Sequence, residues 1–89
     1  MRIEQKPKFK QVYKRLFANQ KLAVDRALRV VIENPSIGTV KRGDLTGTYV
    51  YKFDCVNQEY LLAYEWDEQS RIFVALGVHE NFYRDLKSR

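Results

Sequence analysis

The sequence is poor in the residues on which many metalloenzymes and secreted proteins depend. Its 89 residues contain one cysteine, Cys55, and one histidine, His79. A single cysteine cannot form an internal disulfide, and this Cys and His content is too small for the usual zinc-binding sets. We therefore expect neither a structural disulfide nor a metal or other cofactor.

Long hydrophobic runs are also missing. No apolar stretch approaches the roughly 18–20 residues that a membrane span requires. The opening residues, MRIEQKPKFK, are charged and lack the apolar segment of a signal peptide. These features predict a cytoplasmic protein without a membrane partner. The length predicts a single domain over residues 1–89, because a second core would have too little chain to close around it.

Charge is plentiful but unevenly distributed. The net charge is +5, with nine Lys and Arg against two acids in residues 1–31 and seven against nine in residues 32–89. A basic surplus suits a polyanionic partner such as a nucleic acid, although a basic helical face can also be simply solvated.

Two helices are predicted in the basic part. Apolar residues in residues 8–17 follow the spacing of one helical stripe. A second stripe over residues 20–34 begins after Asn19, a favoured N-cap residue, and ends before Pro35. Its members are Val24, Ala27, Leu28 and Val31.

The rest of the chain predicts a sheet. Segments 48–56, 59–66 and 71–77 are rich in aromatic and β-branched residues and are joined by short connections, as in an antiparallel meander. Ile3 begins a further short segment that could form a strand before Pro7, and Glu80 begins a possible helix. The predicted fold class is α+β, in the order (β)ααβββ: an N-terminal helical hairpin packed on a small antiparallel sheet, with a short C-terminal helix. Both faces of the strands carry apolar residues, so we expect the second face to be covered by a terminal segment, a partner or an aromatic ligand surface.

Three segments in this order resemble the RelE/ParE superfamily of type II toxin–antitoxin toxins. IEQKPKFKQVYKRL is similar to the family's opening strand and Pro-initiated basic helix. IENPSIGTVKRGDLTGTYVYKF resembles its passage from the second helix into the sheet, and EYLLAYEWDEQSRIFVALGVHENFY resembles its last strands. The resemblance covers nearly the whole chain and implies the RelE/ParE-like fold.

Two departures bear on activity. Leu61 follows Tyr60 where the family usually has a basic residue, and Glu80 stands where RelE-like ribonucleases often have an arginine that supports the scissile phosphate. The terminal histidine followed by polar residues and an aromatic is closer to YafQ-like members, in which the histidine is catalytic.

The ribonuclease chemistry that the resemblance implies assigns roles to particular residues. Attack by the RNA's own 2′-OH requires a base, a cation beside the phosphate and an acid for the leaving oxygen, but no metal. His79 titrates near neutral pH and suits the base or the acid. The catalytic set is His79, Lys52 and Tyr83. The residues expected to bind nucleic acid are Lys41, Arg42 and Arg84.

Each of these residues also has a structural interpretation. The histidine could instead bond a backbone carbonyl at a helix start, Tyr83 could pack the last helix on the sheet, and Lys41 with Arg42 could form a solvated turn.

Three functions remain open at this point. The favoured one is an mRNA endoribonuclease that represses translation, with mRNA and the ribosome as targets. The others are a ParE-like inhibitor of DNA gyrase that acts by binding, and a catalytically degenerate partner of an antitoxin. In each case the resemblance implies a cognate antitoxin encoded nearby.

Overall fold

The computed structural model describes residues 1–41 and 47–78. Within these ranges, two α-helices and five strands follow the order β1 (Arg2–Gln5), α1 (Pro7–Tyr13), α2 (Ala18–Glu33), β2 (Thr39–Val40), β3 (Tyr49–Asp54), β4 (Glu59–Asp67) and β5 (Ser70–Val78), with a 3₁₀ turn at Pro35–Ile37. The α+β class is confirmed. The predicted C-terminal helix lies outside the described residues. In the described part of the chain, neither helix is long and apolar enough to cross a membrane.

Both helices pack on one face of the sheet through the stripes seen in the sequence. Val24 and Val31 on α2 and Phe9 on α1 are fully buried, and Leu28 is half-buried against the same core. The ring of Phe9 lies 5.7 Å from that of Phe73 on β5. The predicted helical layer is therefore confirmed, because the apolar spacing of each helix matches the face that it buries.

The boundary between the helices differs from the prediction. The first helix ends at Tyr13 rather than at residue 17, and the second begins at Ala18. Phe17, not Asn19, is the N-cap residue, and its backbone N–H donates to Gln20 Oε1 at 2.8 Å. The prediction that Asn19 caps this helix was wrong. The side chain that accepts the hydrogen bond at this end is Gln20, which lies inside the first helical turn.

The sheet has the strand order β1-β5-β4-β3-β2. The predicted meander of β3, β4 and β5 is antiparallel, as expected. The expectation of a wholly antiparallel sheet is wrong, since β1 pairs with β5 in parallel. Parallel neighbouring strands require a crossover connection. Here the two helices follow β1 in the sequence and precede the other strands, so they form part of that connection. The two-residue strand β2 extends the opposite edge and was not predicted.

The sheet separates two apolar clusters. The larger one lies between the sheet and the helices. The smaller one lies on the opposite face, which we call the open face because neither described helix packs on it. Its cluster is nevertheless buried and comprises Val50, Leu61, Ala63, Val74 and Ala75, with Ile72 packed against it. The two-sided apolar pattern of the strands therefore reflects a cluster on each face.

Candidate nucleic-acid interface

Lys52 lies on the open face. It alternates along β3 with Tyr51 and Phe53, which pack on the helix side, and its side chain is exposed. Lys52 pairs with Leu61 on β4, and Leu61 pairs with Gly77 on β5. Because neighbouring strands are about 4.8 Å apart, this row spans about 10 Å across the sheet. Lys52 is thus presented beside the apolar Leu61, and two positions from Asp54, which pairs with Glu59 on the same face.

Lys41 comes to the same face from the edge of the sheet. Its backbone N–H donates to the carbonyl of Thr48 at 2.7 Å, which continues the β2–β3 pairing by one residue. Thr48 precedes Val50 by two positions, so strand alternation places Lys41 on the open side. Since Thr48 and Lys52 are four residues apart, the two lysines are separated by about 13 Å along the strand direction.

The other predicted site residues lie outside the described part of the chain. These are His79, Tyr83, Arg42 and Arg84. The strand that leads to the histidine ends at Val78, which pairs with Tyr60 next to the row of Lys52, Leu61 and Gly77. The described residues thus bring Lys52 and Lys41 to one face and place the end of β5 about 10 Å from Lys52, with β4 between them.

The aromatic neighbours of Lys52 cannot stack bases on the open face. The rings of Tyr51 and Phe53 are stacked on each other at 6.0 Å on the helix side. The open-face cluster is aliphatic throughout the described residues. The described residues therefore supply no aromatic ligand surface on the open face, because alternation along β3 turns both rings towards the helices.

A groove near the β1 edge adds two basic residues that sequence reasoning missed. Its volume is about 510 Å³, and its described lining comprises Lys6, Pro7, Lys8, Glu65 and Val74. Lys6 also lies 3.8 Å from the carboxylate of Glu4, an exposed ion pair that contributes little energy. Neither Lys6 nor Lys8 was among the residues predicted to bind nucleic acid. No local signal could have placed them in this groove, because the groove depends on the parallel pairing of β1 with β5.

Tyr64 holds the link between α2 and β2 against the sheet. Its hydroxyl donates to the carbonyl of Pro35 at 2.6 Å and accepts the backbone N–H of Gly38 at 3.0 Å. Burial raises the pKa of Tyr64 above 10.0, and the Gly38 hydrogen bond acts in the opposite direction. The phenol therefore stays protonated at neutral pH and keeps the strand that leads to Lys41 in place.

The described residues contain no cluster of three or more His, Cys, Asp or Glu side chains that could hold a metal ion. On the open face of these residues, the ammonium groups of Lys52 and Lys41 can contact phosphate, while the carboxylates of Asp54 and Glu59 lie on the same face at the hairpin end. Phosphate contacts are salt-dependent and independent of base sequence.

Comparison with protein families gives a match over residues 3–87. The matching family is described as "ParE-like toxin of type II bacterial toxin-antitoxin system". No curated protein sequence matches this chain.

Several solved structures share the fold. A free double mutant of Escherichia coli toxin RelE superposes with a TM-score of 0.72 at 17% identity, covering 98% of this chain and 90% of RelE. The YoeB/ParE toxin from Agrobacterium tumefaciens superposes with a TM-score of 0.70 at 15% identity, covering 89% of this chain and 99% of that one. A chain of the intact E. coli RelBE toxin–antitoxin complex superposes with a TM-score of 0.70 at 17% identity, covering 89% of this chain and 96% of that chain.

Proposed function

This chain belongs to the family of ParE-like toxins of type II bacterial toxin–antitoxin systems, and from that premise we propose that it is a cytoplasmic mRNA endoribonuclease that represses translation. The observation that carries the proposal is the exposed Lys52 on the open face, in the same cross-strand row as the end of the strand that leads to His79 and about 10 Å from it across β4. Lys41 on the same face and the groove with Lys6 and Lys8 extend the cationic surface. RNA phosphates are its natural ligand.

In the proposed reaction, the 2′-OH of the RNA attacks the adjacent phosphate, and the 5′-oxygen leaves. His79 takes or supplies a proton, Lys52 offsets charge on the phosphorane, and Tyr83 orients the substrate. Lys41, Arg42 and Arg84 hold neighbouring phosphates. The reaction needs no metal. The decoding site of the ribosome would supply further orientation of the mRNA.

We also propose a cognate antitoxin as the partner of this chain. E. coli RelE, which shares the fold, has been solved with its antitoxin RelB and with a RelB peptide. The net charge of +5 suits an acidic partner.

The test compares purified variants on programmed ribosomes and on free mRNA, with cleavage read by primer extension. His79→Ala should lower the cleavage rate by about 10²–10⁴-fold, the usual effect of losing an acid–base group. Lys52→Ala should weaken cleavage most at low salt, where phosphate contacts are strongest. Lys10→Ala, which removes an exposed cation from the helix side, is the matched control and should change little. Full toxicity of the His79→Ala protein in cells would refute the catalytic role.

Inhibition of DNA gyrase is the second candidate, and the surroundings of Lys52 favour it. Its cross-strand neighbour Leu61 is fully buried and apolar, so the adjacent position supplies no cation for a phosphorane. A binding inhibitor needs no acid–base pair. Loss of gyrase supercoiling with purified protein, together with intact mRNA on programmed ribosomes, would select this function.

A further inference from the structure

Strand β1 forms one edge of the sheet. Within residues 1–41 and 47–78, its inner edge pairs with β5 and no strand pairs with its outer edge. Ile3 is 48% exposed although it is apolar, and the side chains of Arg2 and Glu4 are 72% and 42% exposed. An edge of this kind presents backbone N–H and C=O groups to another strand. The residues of β1 therefore decide what can pair with it.

The backbone groups of Ile3 point away from β5. The N–H groups of Arg2 and Lys6 donate to the carbonyls of Gln69 and Phe73, at 2.8 and 2.9 Å. Because successive residues of a strand direct their backbone groups to opposite edges, the N–H and C=O of Ile3 lie on the outer edge. Two copies of β1 that meet in antiparallel orientation at Ile3 would therefore exchange both hydrogen bonds between their Ile3 residues.

The side chains of β1 complement a second copy in the same register. With Ile3 opposite Ile3, Arg2 of each copy lies opposite Glu4 of the other. Unlike charges directly opposite each other stabilise a strand pair, and like charges destabilise it. Within one chain, the guanidinium of Arg2 and the carboxylate of Glu4 already lie 3.8 Å apart. Pairing therefore joins two such ion pairs into a network of four alternating charges.

The same residues disfavour the neighbouring registers. An antiparallel pair centred on Arg2 or on Glu4 would place identical charges opposite each other. A pair centred on Gln5 would bring Ile3 opposite Pro7, which has no N–H and already belongs to α1. The alternating charges thus protect the edge against general pairing and leave one self-complementary register.

We infer that two copies of this chain pair through the outer edges of β1, in antiparallel orientation and centred on Ile3. Strands this short bury little surface, so the dimer is weak and depends on concentration. Paired residues share a face of the joined sheet, so both helical layers lie on one side and both open faces on the other. The strands β4 and β5 separate Lys52 from β1, and pairing at β1 leaves it accessible. The inference goes beyond the proposed function and does not depend on it.

Sedimentation velocity at protein concentrations from about 1 µM to about 1 mM measures the dimer Kd. Arg2→Glu makes the edge acidic and Glu4→Arg makes it basic, so each change should raise the Kd by about 10-fold or more. Lys10→Glu and Glu33→Arg are the matched controls, because they reverse charge in the same two directions at exposed helix positions. Their Kd values should stay near that of the wild type.

Mixing the two edge variants tests the register. The acidic edge of Arg2→Glu then faces the basic edge of Glu4→Arg, so native mass spectrometry should detect a heterodimer at least as abundant as the wild-type homodimer. Damage to the fold by either substitution would not be repaired by mixing.

A proline at the centre of the strand tests the backbone pairing. Ile3→Pro removes an N–H on the outer edge, which the pairing with β5 does not use. It should abolish the dimer with little change in Tm. Ile3→Val keeps the N–H and should still dimerise.

A wild-type protein that stays monomeric up to about 1 mM would overturn the inference. So would a wild-type dimer whose Kd is unchanged by both edge substitutions, because its interface would then lie elsewhere. The dimer is measured without RNA. Loss of the dimer with mRNA cleavage retained would therefore leave the proposed function intact, and absence of cleavage with the dimer retained would leave this inference intact.

Discussion

Val56 and Asn57 form the two-residue loop of the β3–β4 hairpin, and both have positive φ values, 53° and 66°. The N–H of Cys55 donates to the carbonyl of Gln58 at 2.7 Å and closes the loop. Paired positive φ values are the geometry of a type I′ turn, which favours Asn-Gly over Val-Asn because β-branched side chains crowd the backbone. Valine at the first loop position is therefore a local source of strain.

Relieving that strain should stabilise the protein. Val56→Asn should increase the free energy of unfolding by about 1 kcal/mol, since the left-handed conformation costs ordinary L-residues about 1–2 kcal/mol. Urea denaturation measures the change. Val56→Thr is the control, because it adds polarity but keeps the β-branch, and its stability should stay near that of the wild type. A destabilised Val56→Asn protein would contradict the strain argument.

Gly38 and Tyr64 form a second residue-scale feature. A Cβ added at Gly38 would lie 2.6 Å from the Tyr64 hydroxyl and 3.0 Å from the carbonyl of Val50. The Tyr64 hydroxyl therefore reaches its hydrogen-bond partners only because the link between α2 and β2 passes close to the sheet. Glycine at position 38 permits that close approach.

A double-mutant cycle should reveal this coupling. Tyr64→Phe should cost about 1–3 kcal/mol, because it leaves the Pro35 carbonyl and the Gly38 N–H without their partner. Gly38→Ala should also destabilise, and its cost should be smaller in the Tyr64→Phe background, where the nearest clashing atom is gone. Thermal denaturation of the four proteins gives the coupling, and strict additivity would show that the two residues act independently.

At the scale of elements, α2 has one face in the core and the other in solvent. Val24, Ala27 and Val31 are buried, whereas Leu22 is largely exposed. Arg71 from β5 donates to the carbonyl of Ile32 at 3.2 Å near the C-terminal end of the helix, where carbonyls lack intrahelical partners. The helix is therefore held by its inner stripe and at its C-terminal end.

The two faces of α2 predict opposite responses to truncation. Val31→Ala should lower the free energy of unfolding by about 2 kcal/mol, because it removes two buried methyl groups and leaves a cavity. Leu22→Ala removes more atoms but should stay within about 0.5 kcal/mol of the wild type, as expected for an exposed site. Urea denaturation of both variants checks this, and an equal loss from both would show that Leu22 supports the fold.

At the scale of the whole molecule, four groups with raised pKa values, all within residues 1–41 and 47–78, couple folding to alkaline pH. Burial raises the pKa of Cys55, Tyr60 and Tyr64, and the hydrogen bond to Asp25 is the main cause that raises the pKa of Tyr13. Each group keeps its proton more tightly in the folded chain than in the unfolded chain. The associated stability is therefore complete below the unfolded pKa values and is lost as pH rises through the folded ones.

We expect the free energy of unfolding to fall as pH rises above 9.0, the ordinary value for Cys55, and to fall further above 10.0, the ordinary value for the tyrosines. Urea denaturation across this range measures the slope. Tyr64→Phe should start from a lower stability but show a shallower alkaline slope, because one titrating group is gone. Unchanged stability above pH 10.0 would contradict the assignment.

The sequence by itself determined the helical layer, the three-stranded meander and their order. These features follow from local periodicity: Val24 and Val31 share a helical face, and β3, β4 and β5 are joined by short turns. Lys52 and Lys41 were predicted as cations of the site because one lies within an aromatic strand and the other in the loop that leads to it, and their roles stay predictions.

Only the tertiary structure decided which cations share a face and what holds them there. The parallel pairing of β1 with β5 brings Lys6 and Lys8 to the groove, and the Tyr64 hydroxyl joins the link after α2 to β4. The physical reason is sequence separation: such contacts join residues far apart in the chain, so they leave no trace in local periodicity. The packing of the helices likewise decided that Tyr51 and Phe53 face the helices and that Lys52 lies on the open side of β3, between Val50 and Asp54.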